Sequence, residues 1–227
     1  MGNCENHFNR HASRNHPNLI PMKLHSLSRL LAAITAVASI AVLPATARAE
    51  DGGAVINRKG TYSTSNGASG TGSSTTTVSK GAANTKGAWT NAAGGKGTWL
   101  SQRSWNKSTQ SGAFSGSATR PNGATSTWQG TTARTAPGVF SSGGTITLAN
   151  GQQETFKSTD TRVAPGTWDK QQVLTTASGK KVDRSVDTTF SGGSGTSTAT
   201  STLPNGQTVS STASFTQIVS PAPAAGK

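Results

Sequence analysis

Glycine recurs at positions 67, 95, 123, 151, 179 and 206, at intervals of 28, 28, 28, 28 and 27 residues. A fixed period of this length marks a chain built from one repeated supersecondary unit, and it outranks any local propensity. Four of these glycines close a turn-like triplet: Ser65-Asn66-Gly67, Pro121-Asn122-Gly123, Ala149-Asn150-Gly151 and Pro204-Asn205-Gly206. Ala93-Gly94-Gly95 and Ala177-Ser178-Gly179 fill the same slot. Midway between them a second turn signal recurs, as Ala136-Pro137-Gly138 and Ala164-Pro165-Gly166, with Gly81, Gly192-Gly193 and Pro221 near the equivalent places. Turns at this spacing leave strands of up to about ten residues joined as hairpins.

In Pro-Asn-Gly, Pro presets φ for the first turn position, Asn tolerates the second, and Gly accepts the left-handed third. That is a three-residue hairpin loop with a bulge at Gly. The loop fixes the register outward from each Gly. It sets Thr61 opposite Thr71, Trp89 opposite Trp99, Ser117 opposite Thr127, Thr145 opposite Thr155, and Thr200 opposite Ser210. Such pairs contribute roughly 0.2–1 kcal/mol each. The other face then carries Tyr62, Leu100, Trp128, Ile146, Leu148, Phe156, Leu174, Val182, Leu203 and Val209. Gly116 falls opposite Trp128 and Gly144 opposite Phe156, so a ring can cover bare strand backbone.

The fold class expected is all-β: an antiparallel meander of about six 28-residue hairpin repeats, or about twelve strands. One face is apolar and must be covered. The sheet can close as a barrel, fold as a sandwich, or stay open and pair with other copies through its edges. A membrane barrel needs some five outward apolar residues per ten-residue strand. Large apolar residues after position 49 number 27, just over two per strand. The loosest part expected is 51–85, rich in Gly, Ser and Thr.

Residues 30–43 form an apolar run of fourteen, preceded by Lys23, His25 and Arg29 and followed by Ala47-Arg48-Ala49. This is the layout of a secretory signal peptide over 22–49, cleaved after Ala49, with Ala47 and Ala49 the small residues the peptidase reads. The run is shorter than the roughly 20 apolar residues a membrane-spanning helix takes. Met22 starts the leader, which makes 1–21 an over-called, disordered start. A linker at 50–60, a hairpin-repeat domain at 61–220 and a disordered tail at 221–227 complete the expected organisation. Export places the mature chain in the periplasm, at the cell surface or outside the cell.

All 4 His and the 1 Cys lie before residue 26. The exported chain therefore has no imidazole base, no thiol nucleophile and no disulfide. Asp183 and Asp187 form the closest internal carboxylate pair, but Lys180, Lys181 and Arg184 flank them as a solvated salt-bridge cluster. No catalytic residue, metal ligand or cofactor motif is assigned. Residues 50–227 carry 16 Lys/Arg against 7 Asp/Glu, spread along the chain. Diffuse charge of this kind suits salt-sensitive attraction to an anionic polysaccharide rather than specific nucleic-acid recognition. Trp89 and Trp128 fill the thin core. Trp105 and Trp168 fit the strand pattern less well and are the candidates for stacking on a ligand ring.

The Asn-Gly turns, Thr columns and signal peptide resemble secreted bacterial proteins made of Thr/Gly-rich hairpin repeats. The likeness covers roughly residues 60–220 and brings no activity or site residues with it. The expected function is an exported, non-enzymatic structural or adhesive protein of the cell envelope or extracellular matrix, capable of self-association. The alternative is a binding module for carbohydrate or another anionic envelope polymer.

Overall fold

The computed structural model describes residues 53–222. The expected signal peptide over 22–49, its expected cleavage residues Ala47 and Ala49, the expected start segment and residues 223–227 lie outside the described residues. Twelve antiparallel strands follow in chain order. They are β1 (Ala54–Thr64), β2 (Ser69–Ser79), β3 (Ala82–Asn91), β4 (Lys96–Ser104), β5 (Ser111–Thr119) and β6 (Thr125–Ala136). Then come β7 (Val139–Thr147), β8 (Gln153–Ala164), β9 (Thr167–Thr175), β10 (Lys181–Ser191), β11 (Ser194–Thr202) and β12 (Thr208–Pro221).

Each strand pairs with its sequence neighbour, and β1 pairs with β12 to close a barrel. Ile56 faces Val219 and Arg58 faces Gln217 across the closing seam. Closure pairs both edge strands, so among the described residues no open strand edge remains for self-association to use. β1 begins inside the stretch expected as a linker. β12 runs through Pro221, which pairs with Ala54 instead of turning or starting a tail. β1 and β2 are full strands, contrary to the loose segment expected over 51–85. Ala54, Ile56 and Val78 anchor them as one buried cluster.

The two kinds of turn sort to opposite ends of the barrel. At one end, Gly67, Gly94, Gly123, Gly151, Gly179 and Gly206 all take positive φ. At the other, Pro137-Gly138 and Pro165-Gly166 make two-residue turns with positive φ at Gly. Five of the six expected registers hold, among them Thr61 with Thr71, Ser117 with Thr127, Thr145 with Thr155 and Thr200 with Ser210. The exception is β3–β4. There the left-handed residue is Gly94, and Asn91 Oδ1 accepts hydrogen bonds from the N–H of Ala93 and Gly95, fixing the turn one residue early. Counting from Gly94 moves each side chain to the other face. Trp89 and Trp99 therefore point inward, and Leu100 points outward, half exposed. Trp89 pairs with Gly97 and Trp99 with Gly87, and the two rings sit 6.3 Å apart.

The apolar face is the interior. Trp89, Trp99 and Ala118 form one buried cluster with Trp128 packed against it, and Tyr62 with Ala213 forms another. Inward rings cover glycine on the neighbouring strand: Trp99 over Gly87, Trp89 over Gly97 and Trp128 over Gly116. Gly144 faces Phe156 in register as expected, but its Cβ position is bounded by the Gln129 carbonyl rather than by the ring. The outward face is dominated by Thr and Ser, as in the exposed Thr196 and Thr198 of β11, Thr212 and Thr216 of β12, and Thr61 of β1, which also presents Lys59 outward.

Candidate functional site

The strand register divides the cations by type. All five arginines within strands, Arg58, Arg103, Arg134, Arg162 and Arg184, occupy inward positions. Of six strand lysines, Lys59, Lys86, Lys96, Lys157 and Lys181 occupy outward positions, and Lys170 alone faces in. A compact, strongly hydrated ammonium suits solvent, whereas the planar guanidinium is less costly to bury and binds carboxylates with two parallel hydrogen bonds.

Lys170 on β9 and Asp160 on β8 are direct register partners. Lys170 Nζ lies 3.2 Å from Asp160 Oδ1 and 3.3 Å from Oδ2. Burial pushes the Lys170 pKa down, Asp160 opposes that, and the charges of Arg103 and Arg184 push it down further. Arg103 is lowered by the surrounding barrel wall and raised by Asp160, although its side chain keeps solvent contact. Arg184 is lowered to about 10 by burial, and its Nη1 donates to Gln172 Oε1 at 3.5 Å. Arg58 is lowered to about 10, first by burial and then by Arg103; its Nε donates to Gln217 Oε1 at 2.7 Å. Arg58 and Arg184, at about 10, stay cationic at neutral pH. Lys170 and Arg103 thus share the carboxylate of Asp160, while Arg58 acts on Arg103 and Arg184 on Lys170, which links four inward cations of β1, β4, β9 and β10 to one carboxylate. The other inward carboxylate among the described residues, Glu154, sits toward the Asn-Gly end and is buried, which raises its pKa.

Beside this cluster runs an aromatic row. Trp105 follows β4, and its ring meets Phe140 of β7 edge-on at 5.8 Å between centroids. Phe140 meets Trp168 of β9 at 6.1 Å. All three are half-buried. Trp105 spans β5 and β6 to reach Phe140 because Gly112 leaves the way clear. A Cβ at Gly112 would collide with the Ser104 carbonyl and press on the Trp105 backbone. Register places Arg134 and Asp160 beside Phe140, and Arg162 beside Trp168. The structure therefore brings the two sequence candidates, Trp105 and Trp168, together through Phe140, a residue that sequence reasoning passed over.

The sequence also missed the basic cluster, because its members lie on four strands with no local charge run. Strand alternation could have found part of it. Arg184 faces in while its neighbours Asp183 and Asp187 face out, so the three residues expected as one solvated cluster lie on opposite faces of the wall. Asp187 is instead the cross-strand partner of Asp169 on the outer face.

No protein-family model matches the chain, and no curated protein matches it in sequence. Among solved structures it is similar to the KdgM porin, with a TM-score of 0.53 at 6% identity, covering 72% of this chain and 98% of the porin. It is similar to the same porin in complex with disordered oligogalacturonate, with a TM-score of 0.50 at 6% identity, covering 72% and 97%. At this identity the likeness is one of fold: a closed antiparallel barrel.

Proposed function

We propose that this chain is an exported, non-enzymatic β-barrel that binds an acidic polysaccharide at the basic end of its interior. The observation that carries the reading is the partition of cations. Burying Arg58 and half-burying Arg184 works against desolvation cost, and the six inward cations among the described residues face only one inward carboxylate at their end of the barrel, Asp160, shared by Lys170 and Arg103. An inner surface with excess guanidinium is complementary to a chain of carboxylates. A barrel of twelve strands is also wider than the roughly 8 strands whose interior side chains alone fill. The fold neighbour solved with oligogalacturonate, an anionic polysaccharide, supports the same ligand class.

The absence of His and Cys beyond residue 25 supports a binding role over catalysis. Closure of the barrel weighs against an adhesive that grows through strand edges. The outward Thr, Ser and Lys residues support a barrel with water outside its wall, since a lipid-spanning barrel wears an apolar band about 25 Å tall. We therefore read the protein as an envelope or extracellular barrel and not as a pore embedded by this wall.

Retention on immobilised polygalacturonate, compared with a neutral polysaccharide matrix across a salt series, tests the reading. Retention on the acidic matrix only, falling steeply with salt, is expected. Equal retention on both matrices would overturn it.

A further inference from the structure

We infer that the row Trp105–Phe140–Trp168 is a sugar-ring subsite, so that the ligand of the basic cluster is a saccharide carrying acidic units rather than a polyanion of any kind. The inference rests on the acidic-polymer reading above and adds the residues that tell one polyanion from another.

Three observations converge. The rings form a continuous row, with centroids 5.8 and 6.1 Å apart, contributed by two strands and the segment after β4. Each ring is only half-buried, whereas the rings that build the core are nearly closed off, with Trp99 at 3% and Trp89 at 7% exposure. The row borders charge: Arg134 and Asp160 flank Phe140, Arg162 flanks Trp168, and Lys170 lies two residues from Trp168 on the same inward face. An apolar ring face beside guanidinium groups matches a pyranose, which offers C–H bonds on its face and a carboxylate on its rim. A polyphosphate offers charge but no face to stack.

The segment that carries Trp105 is held for this purpose. It is the one turn at its end of the barrel longer than two residues. Asn106 Oδ1 accepts hydrogen bonds from the Ser108 N–H, at 2.9 Å, and from the Ser108 hydroxyl, at 2.6 Å. Gln110 is the one non-glycine with positive φ, at 50°, among the described residues. Its carbonyl accepts from the Arg134 N–H at 2.9 Å. Strain of this kind persists where surrounding structure over-determines it. Here it ties the Trp105 turn to the strand bearing Arg134.

The test titrates the protein with a size-defined oligogalacturonate, with inorganic polyphosphate of similar charge and with an oligodeoxynucleotide. Trp105→Ala and Trp168→Ala should each weaken oligogalacturonate binding by roughly 2- to 10-fold and leave polyphosphate binding unchanged. Trp168→Phe keeps a ring and should retain most of the affinity, which guards against a folding defect in the alanine variant. Arg103→Gln with Lys170→Gln should weaken both anions. Loss of polyphosphate binding in parallel with oligogalacturonate, or no loss of either in the Trp variants, would overturn the subsite while leaving the acidic-polymer reading intact. Loss confined to the oligodeoxynucleotide would overturn it in favour of base stacking. Failure of the wild-type protein to bind oligogalacturonate or polyphosphate would overturn the reading beneath it as well.

Discussion

Lys170 and Asp160 face each other across β8 and β9 with 3.2 Å between Nζ and Oδ1, and Arg103 and Arg184 both act on the same lysine. Asp160 is thus the carboxylate that offsets the charges of Lys170 and Arg103. Asp160→Asn removes a charge-assisted bond from side chains only 20% and 15% exposed. It should cost about 1.5–3 kcal/mol of stability. The same substitution should tighten binding of an acidic ligand, because the internal competitor for the cations is gone. Thermal denaturation and anion titration of the one variant check both signs.

The ring-over-glycine contacts should be the most sensitive points of the core. At Gly87 and Gly116 an added Cβ would overlap the rings of Trp99 and Trp128. Neither ring can withdraw into a packed cluster without cost. Gly87→Ala and Gly116→Ala should each destabilise the barrel by about 1–3 kcal/mol. Gly123→Ala meets nothing within 4 Å but must hold φ of +80°, so it too should destabilise, through backbone strain instead. Combining either core variant with Trp→Leu at the facing position should recover stability; the Gly123 variant should show no such rescue.

Glu154 supplies the pH dependence. Burial holds its pKa above the ordinary carboxylate value of 4.5. Between that value and the raised one, the folded chain keeps a proton that the unfolded chain has lost. Its contribution to stability is therefore fullest below the ordinary value and is lost as pH rises through the raised pKa. Glu154→Gln should remove that loss. The wild-type Tm should drop more than the variant Tm between pH 4 and pH 7, and scanning calorimetry at the two pH values checks it.

The outer wall makes a separate prediction. Its Thr and Ser rows need no lipid, so the protein should fold in detergent-free buffer with a β-type circular dichroism spectrum and a cooperative melt. A chain that folds only with detergent or lipid would contradict the water-facing wall.

Much of the strand plan was legible because the turn chemistry is local. An Asn-Gly turn dictates which residues face one another, and five hairpins obey it. At Ala93-Gly94-Gly95 two adjacent glycines left the left-handed position ambiguous, and the side chain of Asn91 decides it. That single step put Trp99 and Leu100 on the wrong faces, although Trp89 lies in the core as expected. Closure was not legible. It pairs Arg58 with Gln217 and Ile56 with Val219, and no turn signal links segments so far apart in the chain. The basic cluster was hidden in part for the same reason: Asp160, Lys170 and Arg184 lie on neighbouring hairpin strands, but Arg103 joins them only once the strands between curve round. Trp105 and Trp168 stood out because neither fits the hairpin pattern, but Phe140, which joins them, looks in sequence like any other strand apolar residue.

The most direct measurement is calorimetric titration of a size-defined oligogalacturonate into the wild-type protein and into the Arg103→Gln/Lys170→Gln double variant. Measurable, salt-sensitive binding to the wild type is expected, with at least about a tenfold loss in a double variant that still folds. Equal affinity of the two proteins would contradict the proposed binding, because the ligand would then be held somewhere other than the basic end of the barrel interior.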